Sequence, residues 1–106
     1  MIKRIGLTMR ITETSGYKET RDAISHDWIS YLGHFPGMLV VLLPNIGKKA
    51  NALIEAFGLD GLILTNGNDI GAAPIRDETE LSLVETAIKT NLPVLGVCRG
   101  FQFLQW

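Results

Sequence analysis

A single cysteine stands in the segment Gly96-Val97-Cys98-Arg99-Gly100-Phe101-Gln102, and its neighbours make it a candidate nucleophile. Glycines two residues before and two after it reproduce the spacing of the G-x-S-x-G elbow, in which a strand turns sharply into a helix and the nucleophile takes a strained conformation at the apex. Only glycine leaves room where the flanking elements close on one another. A helix beginning at Arg99 would offer Cys98 N–H groups without intrahelical partners and the positive end of its dipole, which favours thiolate over thiol. Outside such a frame a lone cysteine is more often a small core residue. The chemistry that suits a presented thiolate is attack on a carbonyl, and the backbone N–H of Arg99 is placed to stabilise the oxyanion that results.

The apolar pattern identifies the elements that must hold this turn. Pro93 can open a strand, and Val94, Leu95 and Val97 form the continuous apolar run of a strand covered on both faces, so Cys98 falls at its carboxyl end. Three earlier runs read as strands: Ile2 to Met9, Met38 to Leu43 and Leu62 to Thr65. Between them lie three helical patterns. Asp22 to Leu32 carries Ile24, Trp28, Ile29 and Leu32 at helical spacing; Lys48 to Phe57 has Ala52, Leu53, Ala56 and Phe57 on one side; Asp77 to Thr90 has Leu81, Leu83, Val84, Ala87 and Ile88. The polar stretch Arg10 to Arg21, with Gly16, and the glycine-rich stretch Asn66 to Pro74 read as loops. Four strands alternating with three helices predict an α/β domain with a mostly parallel sheet, in flavodoxin-like strand order 2-1-3-4 with helices on both faces, a three-layer sandwich. Ligands of such sheets sit at the carboxyl ends of the strands, where Met9 to Thr12, Asn66 to Asp69 and Cys98-Arg99 are expected to meet.

Composition sets the limits. A chain of 106 residues with 46% apolar residues allows one domain, and a net charge of −1 supplies no field for nucleic acid or an anionic membrane. One cysteine excludes an internal disulfide, Met1-Ile2-Lys3-Arg4 lacks the apolar core of a signal peptide, and no apolar run approaches the roughly 18 residues of a membrane span. The cytoplasm is therefore the expected compartment, with neither nucleic acid nor membrane as partner.

The elbow segment resembles the nucleophile motif G-x-C-x-G-x-Q of class I glutamine amidotransferases, and the arginine after the cysteine resembles the γ-glutamyl hydrolase branch. Asp60-Gly61-Leu62-Ile63-Leu64-Thr65-Asn66-Gly67-Asn68-Asp69-Ile70 is similar to that family's D-G-(apolar)3-T-G-G-x-D-(apolar) segment, and Arg76-Asp77-Glu78-Thr79-Glu80 to the R-D-x-x-E that opens its next helix. Together with Gly16 to Asp22 and Asp27-Trp28, the likeness points to the small γ-glutamyl-CDP-amidate hydrolase type, over the amino-terminal part of the family only. The resemblance implies hydrolysis of a small-molecule γ-glutamyl amide through a γ-glutamyl thioester, with Cys98 as nucleophile, no cofactor and no metal. It implies the backbone N–H groups of Arg99 and Gly67 as oxyanion donors, each worth about 3–4 kcal/mol when removed from such a site. Asn66 stands where the family usually has a first glycine, and Gln102 matches the glutamine that contacts the glutamyl group.

Asn66, Gln102 and Arg10 are thus the candidate substrate-binding residues, Arg10 being read either as the partner of an anionic substrate group or as a solvated arginine. Asp69 is read as orienting its loop through an Asx-turn, and Arg76 and Asp77 as a helix-opening pair. His26, in the first helix, and His34, in the turn before the second strand, are expected away from the catalytic edge and excluded as a base. The family's histidine and acidic residue lie well downstream of the elbow, whereas Trp106 is eight residues past Cys98. Residues 1–106 are accordingly expected to be a single partial domain that ends just after the elbow, to leave a sheet edge open to self-association, and to need a further histidine for turnover. Two alternatives to the hydrolase stand beside it: a glutaminase subunit that passes ammonia to a synthase, and an inactive fragment.

Overall fold

The computed structural model describes residues 2–105, apart from the side chains of Phe101 and Phe103. Its strands are β1 (Lys3–Thr8), β2 (Arg10–Glu13), β3 (Thr20–Ala23), β4 (Met38–Leu43), β5 (Gly61–Leu64) and β6 (Val94–Gly96). Its helices are α1 (His26–Leu32), α2 (Asn51–Ala56, preceded by a 3-10 turn at Gly47–Ala50), α3 (Pro74–Lys89) and α4 (Arg99–Leu104). Four strands form a parallel sheet in the order β4-β1-β5-β6, so the expected 2-1-3-4 order of the main strands is present. The fold is α/β and flavodoxin-like, with helices on both faces. Among the described residues no helix is long and apolar enough to cross a membrane.

Strand alternation sends successive side chains to opposite faces and so divides the core in two. Leu62 and Leu64 point to one face, where Leu43, Leu59, Ile54, Leu83 and Ala87 bury them beneath α2 and α3. Leu7 and Ile63 point to the other, where Leu32 of α1 covers them and Ile24, Trp28 and Met38 pack around. The register places Ile63 beside Leu95 and Leu62 beside Val94. Leu95 therefore belongs to the α1 face, where it lines a cleft with Trp28 and Tyr31 of α1 and is 57% exposed. β6 pairs with β5 and with no other strand among the described residues.

Several elements depart from the sequence reading. The stretch read as a loop from Arg10 contains the antiparallel hairpin β2-β3, with Arg10 opposite Ala23 and Glu13 opposite Thr20. Asp22 belongs to β3 rather than to a helix; its carboxylate accepts the backbone N–H and the side-chain amide of Asn45, both at 2.9 Å, which ties the hairpin to the chain beyond β4. α1 begins instead after Ser25, whose Oγ caps the Asp27 N–H at 3.1 Å.

The inner sides of the helices also differ. Ala50 and Ile54 are buried in the second helical segment, while Ala52, Ala56 and Phe57 are exposed, because the 3-10 turn shifts the phase before α2 starts. α3 starts three residues before the expected Asp77, with Pro74 in its first turn. It buries Arg76, Thr79, Glu80, Leu83, Val84 and Ala87, leaving Leu81 and Ile88 at 52% and 70% exposure. That stripe keeps helical spacing but opens with polar residues. The elbow helix is described to Leu104, and Trp106 lies outside the described residues.

Candidate active site

Cys98 sits between β6 and α4 at φ 53°, one of three non-glycine residues in the left-handed region among those described. Such a conformation costs an L-residue roughly 1–2 kcal/mol and is held by what surrounds it. On one side the Val97 N–H donates to the Leu64 carbonyl at 3.0 Å, the last rung between β6 and the end of β5. On the other, the Gly100 N–H donates to Val97 O at 3.0 Å and the Gln102 N–H to Cys98 O at 3.1 Å, starting the helix immediately. Gly100 allows this closeness: a Cβ there would lie 2.3 Å from the Leu64 carbonyl oxygen and 2.6 Å from the Leu64 Cβ. Cys98 itself is exposed and forms no disulfide.

The second wall is the loop after β5. Thr65 anchors it, its N–H donating to Thr8 Oγ1 at 3.1 Å and its hydroxyl to the Thr8 carbonyl at 2.7 Å, both residues being buried. Three consecutive carbonyls then turn toward one fully buried guanidinium. Arg76 donates to Thr65 O at 2.8 Å, to Asn66 O at 3.3 Å and to Gly67 O. A trans peptide points its N–H opposite to its C=O, so with the Asn66 carbonyl on Arg76 the Gly67 N–H points away from α3. Gly67 lies at φ 92°, and its N–H has no hydrogen-bond partner among the described residues.

The loop is also tied to its other neighbours. The Asn68 side chain accepts the Ile11 N–H at 2.8 Å and donates to the Ile11 carbonyl at 3.0 Å, acting as an added strand residue for β2. The Trp28 indole N–H donates to the Asn66 side-chain oxygen at 3.2 Å. Asn66, Trp28, Leu95 and Val97 line a cleft on the α1 side of the sheet. Gln102 is exposed and lines a second, open cleft with Asp69, Ile70 and Gln105. Arg10 is half-buried and crosses Gly67 so closely that a Cβ on that glycine would be 2.8 Å from the guanidine Nε. No carboxylate pairs with Arg10 among the described residues.

Beneath both walls, three charged residues of α3 and Arg99 of α4 form a cluster of four charges. Glu80, fully buried, accepts Arg76 Nε at 3.2 Å on one oxygen and Arg99 on the other. Arg99 also donates to Asp77, whose second oxygen accepts the Gly71 N–H at 2.8 Å. Burial pushes the Arg76 guanidinium below its ordinary value; Arg99 and Arg10 add to that push and Glu80 opposes it. Two arginines and two carboxylates balance, which is what permits charge in so buried a place.

Position in the sheet thus brings together Cys98, Arg99, Asn66, Gly67 and Arg10 at the carboxyl ends of three adjacent strands, β1, β5 and β6. The reading of Arg76 and Asp77 as a simple helix-opening pair is incomplete: Arg76 is core, and Asp77 holds both the elbow arginine and the loop before α3. Asp69 accepts the Ala72 N–H through its backbone carbonyl at 2.9 Å, so a backbone turn takes the place of the expected side-chain Asx-turn. His34 follows α1 at the far end of the sheet, whereas α1 starts at the same end as the site and carries Trp28 to Asn66, so His26 is nearer the catalytic edge than its assignment implied. Neither histidine side chain makes a hydrogen bond among the described residues. Asn68 and Trp28 escaped the sequence reading as loop supports, since neither residue type nor spacing marks a partner 57 or 38 residues away.

Residues 4–106 match the peptidase C26 family. Among curated proteins, γ-glutamyl-CDP-amidate hydrolase of Campylobacter jejuni is 26% identical over 94% of this chain and 52% of its own length. A glutamine amidotransferase-like protein of Lactococcus lactis, YvdE, is 34% identical over 64% of this chain and 34% of its own. γ-Glutamyl-γ-aminobutyrate hydrolase of Escherichia coli O157:H7 is 29% identical over 65% of this chain and 27% of its own. The chain spans about half or less of the length of these relatives.

Proposed function

The chain belongs to the peptidase C26 family, and on that premise we propose that it carries the nucleophile and oxyanion half of a Cys-dependent γ-glutamyl amide hydrolase, as a partial domain. The observation that carries this reading is Cys98 at φ 53°, exposed at the apex of a strand-to-helix turn that a glycine of the right spacing alone permits. The Cys98 thiolate attacks the γ-carbonyl, and the carbonyl oxygen becomes an oxyanion that the backbone N–H groups of Arg99 and Gly67 receive. The C–N bond then breaks, the amine leaves with a proton, and a γ-glutamyl thioester remains on Sγ. Water cleaves the thioester to give glutamate and the free thiol. Gln102 and the Asn66 amide nitrogen hold the glutamyl group, and Arg10 meets an anionic group of the substrate. The proton for the amine and the base for the water come from a histidine and acid pair outside these 106 residues. An unpaired thiol of this kind suits the reducing cytoplasm.

An activated γ-glutamyl ester tests the reading without that pair, because a phenolate leaving group departs unprotonated. Incubation of the chain with γ-glutamyl p-nitrophenyl ester should add one γ-glutamyl group, mapped by mass spectrometry to Cys98 and absent from Cys98→Ser. Acylation spread over lysines, or equal in the Cys98→Ser variant, would remove Cys98 from the mechanism.

A further inference from the structure

We propose that Arg76, Glu80 and Arg99, with Asp77 at the rim, form a positioning relay that couples the oxyanion loop to the nucleophile turn, so that the geometry of one wall of the site fixes the other. The proposal rests on the reading of Cys98 as nucleophile, and it concerns residues that act through others rather than on substrate. The chain of contacts is continuous. Arg76 spends its two terminal nitrogens on the carbonyls of Thr65, Asn66 and Gly67 and its Nε on Glu80. Glu80 takes Arg99 on its other oxygen, and Arg99 is the residue after Cys98, whose own N–H is a proposed oxyanion donor. Beyond the Val97-to-Leu64 rung, α3 therefore bridges from beneath the two segments that supply the donors.

Four features favour a positioning role over simple ballast. Buried ion pairs add little stability relative to well-packed apolar residues, so α3 gains little in stability from opening its buried stripe with Arg76 and Glu80. A planar guanidinium fixes the direction of every acceptor it holds, and here both ends of the relay are guanidinium groups meeting on one carboxylate. Oxyanion donors act only within about 2.7–3.1 Å of the developing charge, and a misplacement of about 1 Å costs on the order of a hundredfold in rate. Residues 76, 77 and 80 also sit within the first two turns of a 16-residue helix, the longest element described and so a rigid base for two loops.

The test is a double-mutant cycle read at Cys98. Iodoacetamide alkylation of native protein is measured for wild type, Arg76→Lys, Glu80→Gln and the double variant, with Cys98→Ser as blank. Arg76 reaches the elbow through Glu80 and, separately, through the loop and the Leu64-to-Val97 rung, so Arg76→Lys should change the Cys98 rate, and the part carried by the relay should be lost once Glu80 is Gln, giving non-additivity of about threefold or more. Amide spectra of the same proteins should show Arg76→Lys shifting the Cys98 and Arg99 resonances. A melting temperature alone would not distinguish relay from ballast, whereas this coupling does. If Arg76→Lys does not fold, the cycle runs from the other end with Asp77→Asn, a residue at the partly exposed rim, read at the Gly67 amide. Additive effects within about twofold, in folded variants, overturn the relay. Failure of the underlying reading looks different: wild-type Cys98 would then resist γ-glutamyl ester while the amide coupling persisted.

Discussion

Replacing Gly100 by alanine tests the elbow where its geometry is tightest. The Cβ would lie 2.3, 2.6 and 2.9 Å from the oxygen, Cβ and carbonyl carbon of Leu64, and none of these atoms belongs to a flexible side-chain end. Leu64 is fully buried in β5, so α4 has to move instead. Restoring ordinary contact near 3.4 Å requires a shift of about 1 Å. A shift of that size stretches the 3.0 Å hydrogen bond from Val97 to Leu64 beyond useful length. Overpacking of about 1–3 kcal/mol and loss of a hydrogen bond of about 1 kcal/mol together give about 2–4 kcal/mol. For a domain of this size that corresponds to a fall of roughly 10–30 °C in melting temperature. Gly71→Ala is the control: its φ is 91° but nothing lies within 4 Å of the added Cβ, so only the left-handed strain of about 1–2 kcal/mol applies. The assay is thermal unfolding by circular dichroism. A Gly100→Ala protein that melts with wild type, or above Gly71→Ala, would refute the packing argument.

Three further outcomes are expected. At Gly67, valine should destabilise more than asparagine, since φ 92° excludes a β-branched residue more strongly, and Arg10→Ala added to Gly67→Ala should recover only the steric part of the loss, as read by urea titration; full recovery would mean that backbone strain is unimportant there. Trp28→Phe removes the indole donor to Asn66 and should cost about 1 kcal/mol while shifting the Asn66 side-chain amide resonance; an unmoved resonance would break the link between α1 and the loop. A polypeptide of these 106 residues should self-associate through β6 and the exposed Leu95, and Leu95→Lys should shift sedimentation toward monomer; a wild-type monomer at all concentrations would contradict this.

β4, β5 and β6 were legible because each is a short apolar run bounded by Gly, Pro or Asn, β1 by the alternating Ile5, Leu7 and Met9, and the 3.6 period marked where helices run. The hairpin β2-β3 was not: Arg10–Glu13 and Thr20–Ala23 are polar strands covered by no second layer, so burial left no pattern in them. The buried face of α3 was misplaced for a related reason. Leu81 and Ile88 are apolar yet exposed, while Arg76 and Glu80 are buried because they satisfy each other and the loop carbonyls, and Thr79 because its hydroxyl donates to the Ile75 carbonyl and accepts the Gly47 N–H. Periodicity of hydrophobic residues cannot register a buried polar network. The candidate site was legible at Cys98, Gly67 and Gly100 because its chemistry and close contacts demand those residue types at fixed spacing. The contacts of its supports, Asn68 with Ile11 and Trp28 with Asn66, span 57 and 38 residues and left no local trace.

The central claim is that Cys98 is presented to the γ-carbonyl carbon of a bound glutamyl group. The most direct measurement uses the chloromethyl ketone analogue of glutamine, in which a chloromethyl group replaces the γ-amide nitrogen. The account predicts stoichiometric labelling at Cys98 that saturates with reagent concentration, prefers the L over the D isomer and is slowed by free glutamine. Labelling that rises linearly with concentration, is equal for the two isomers and matches that of the urea-unfolded chain would contradict it.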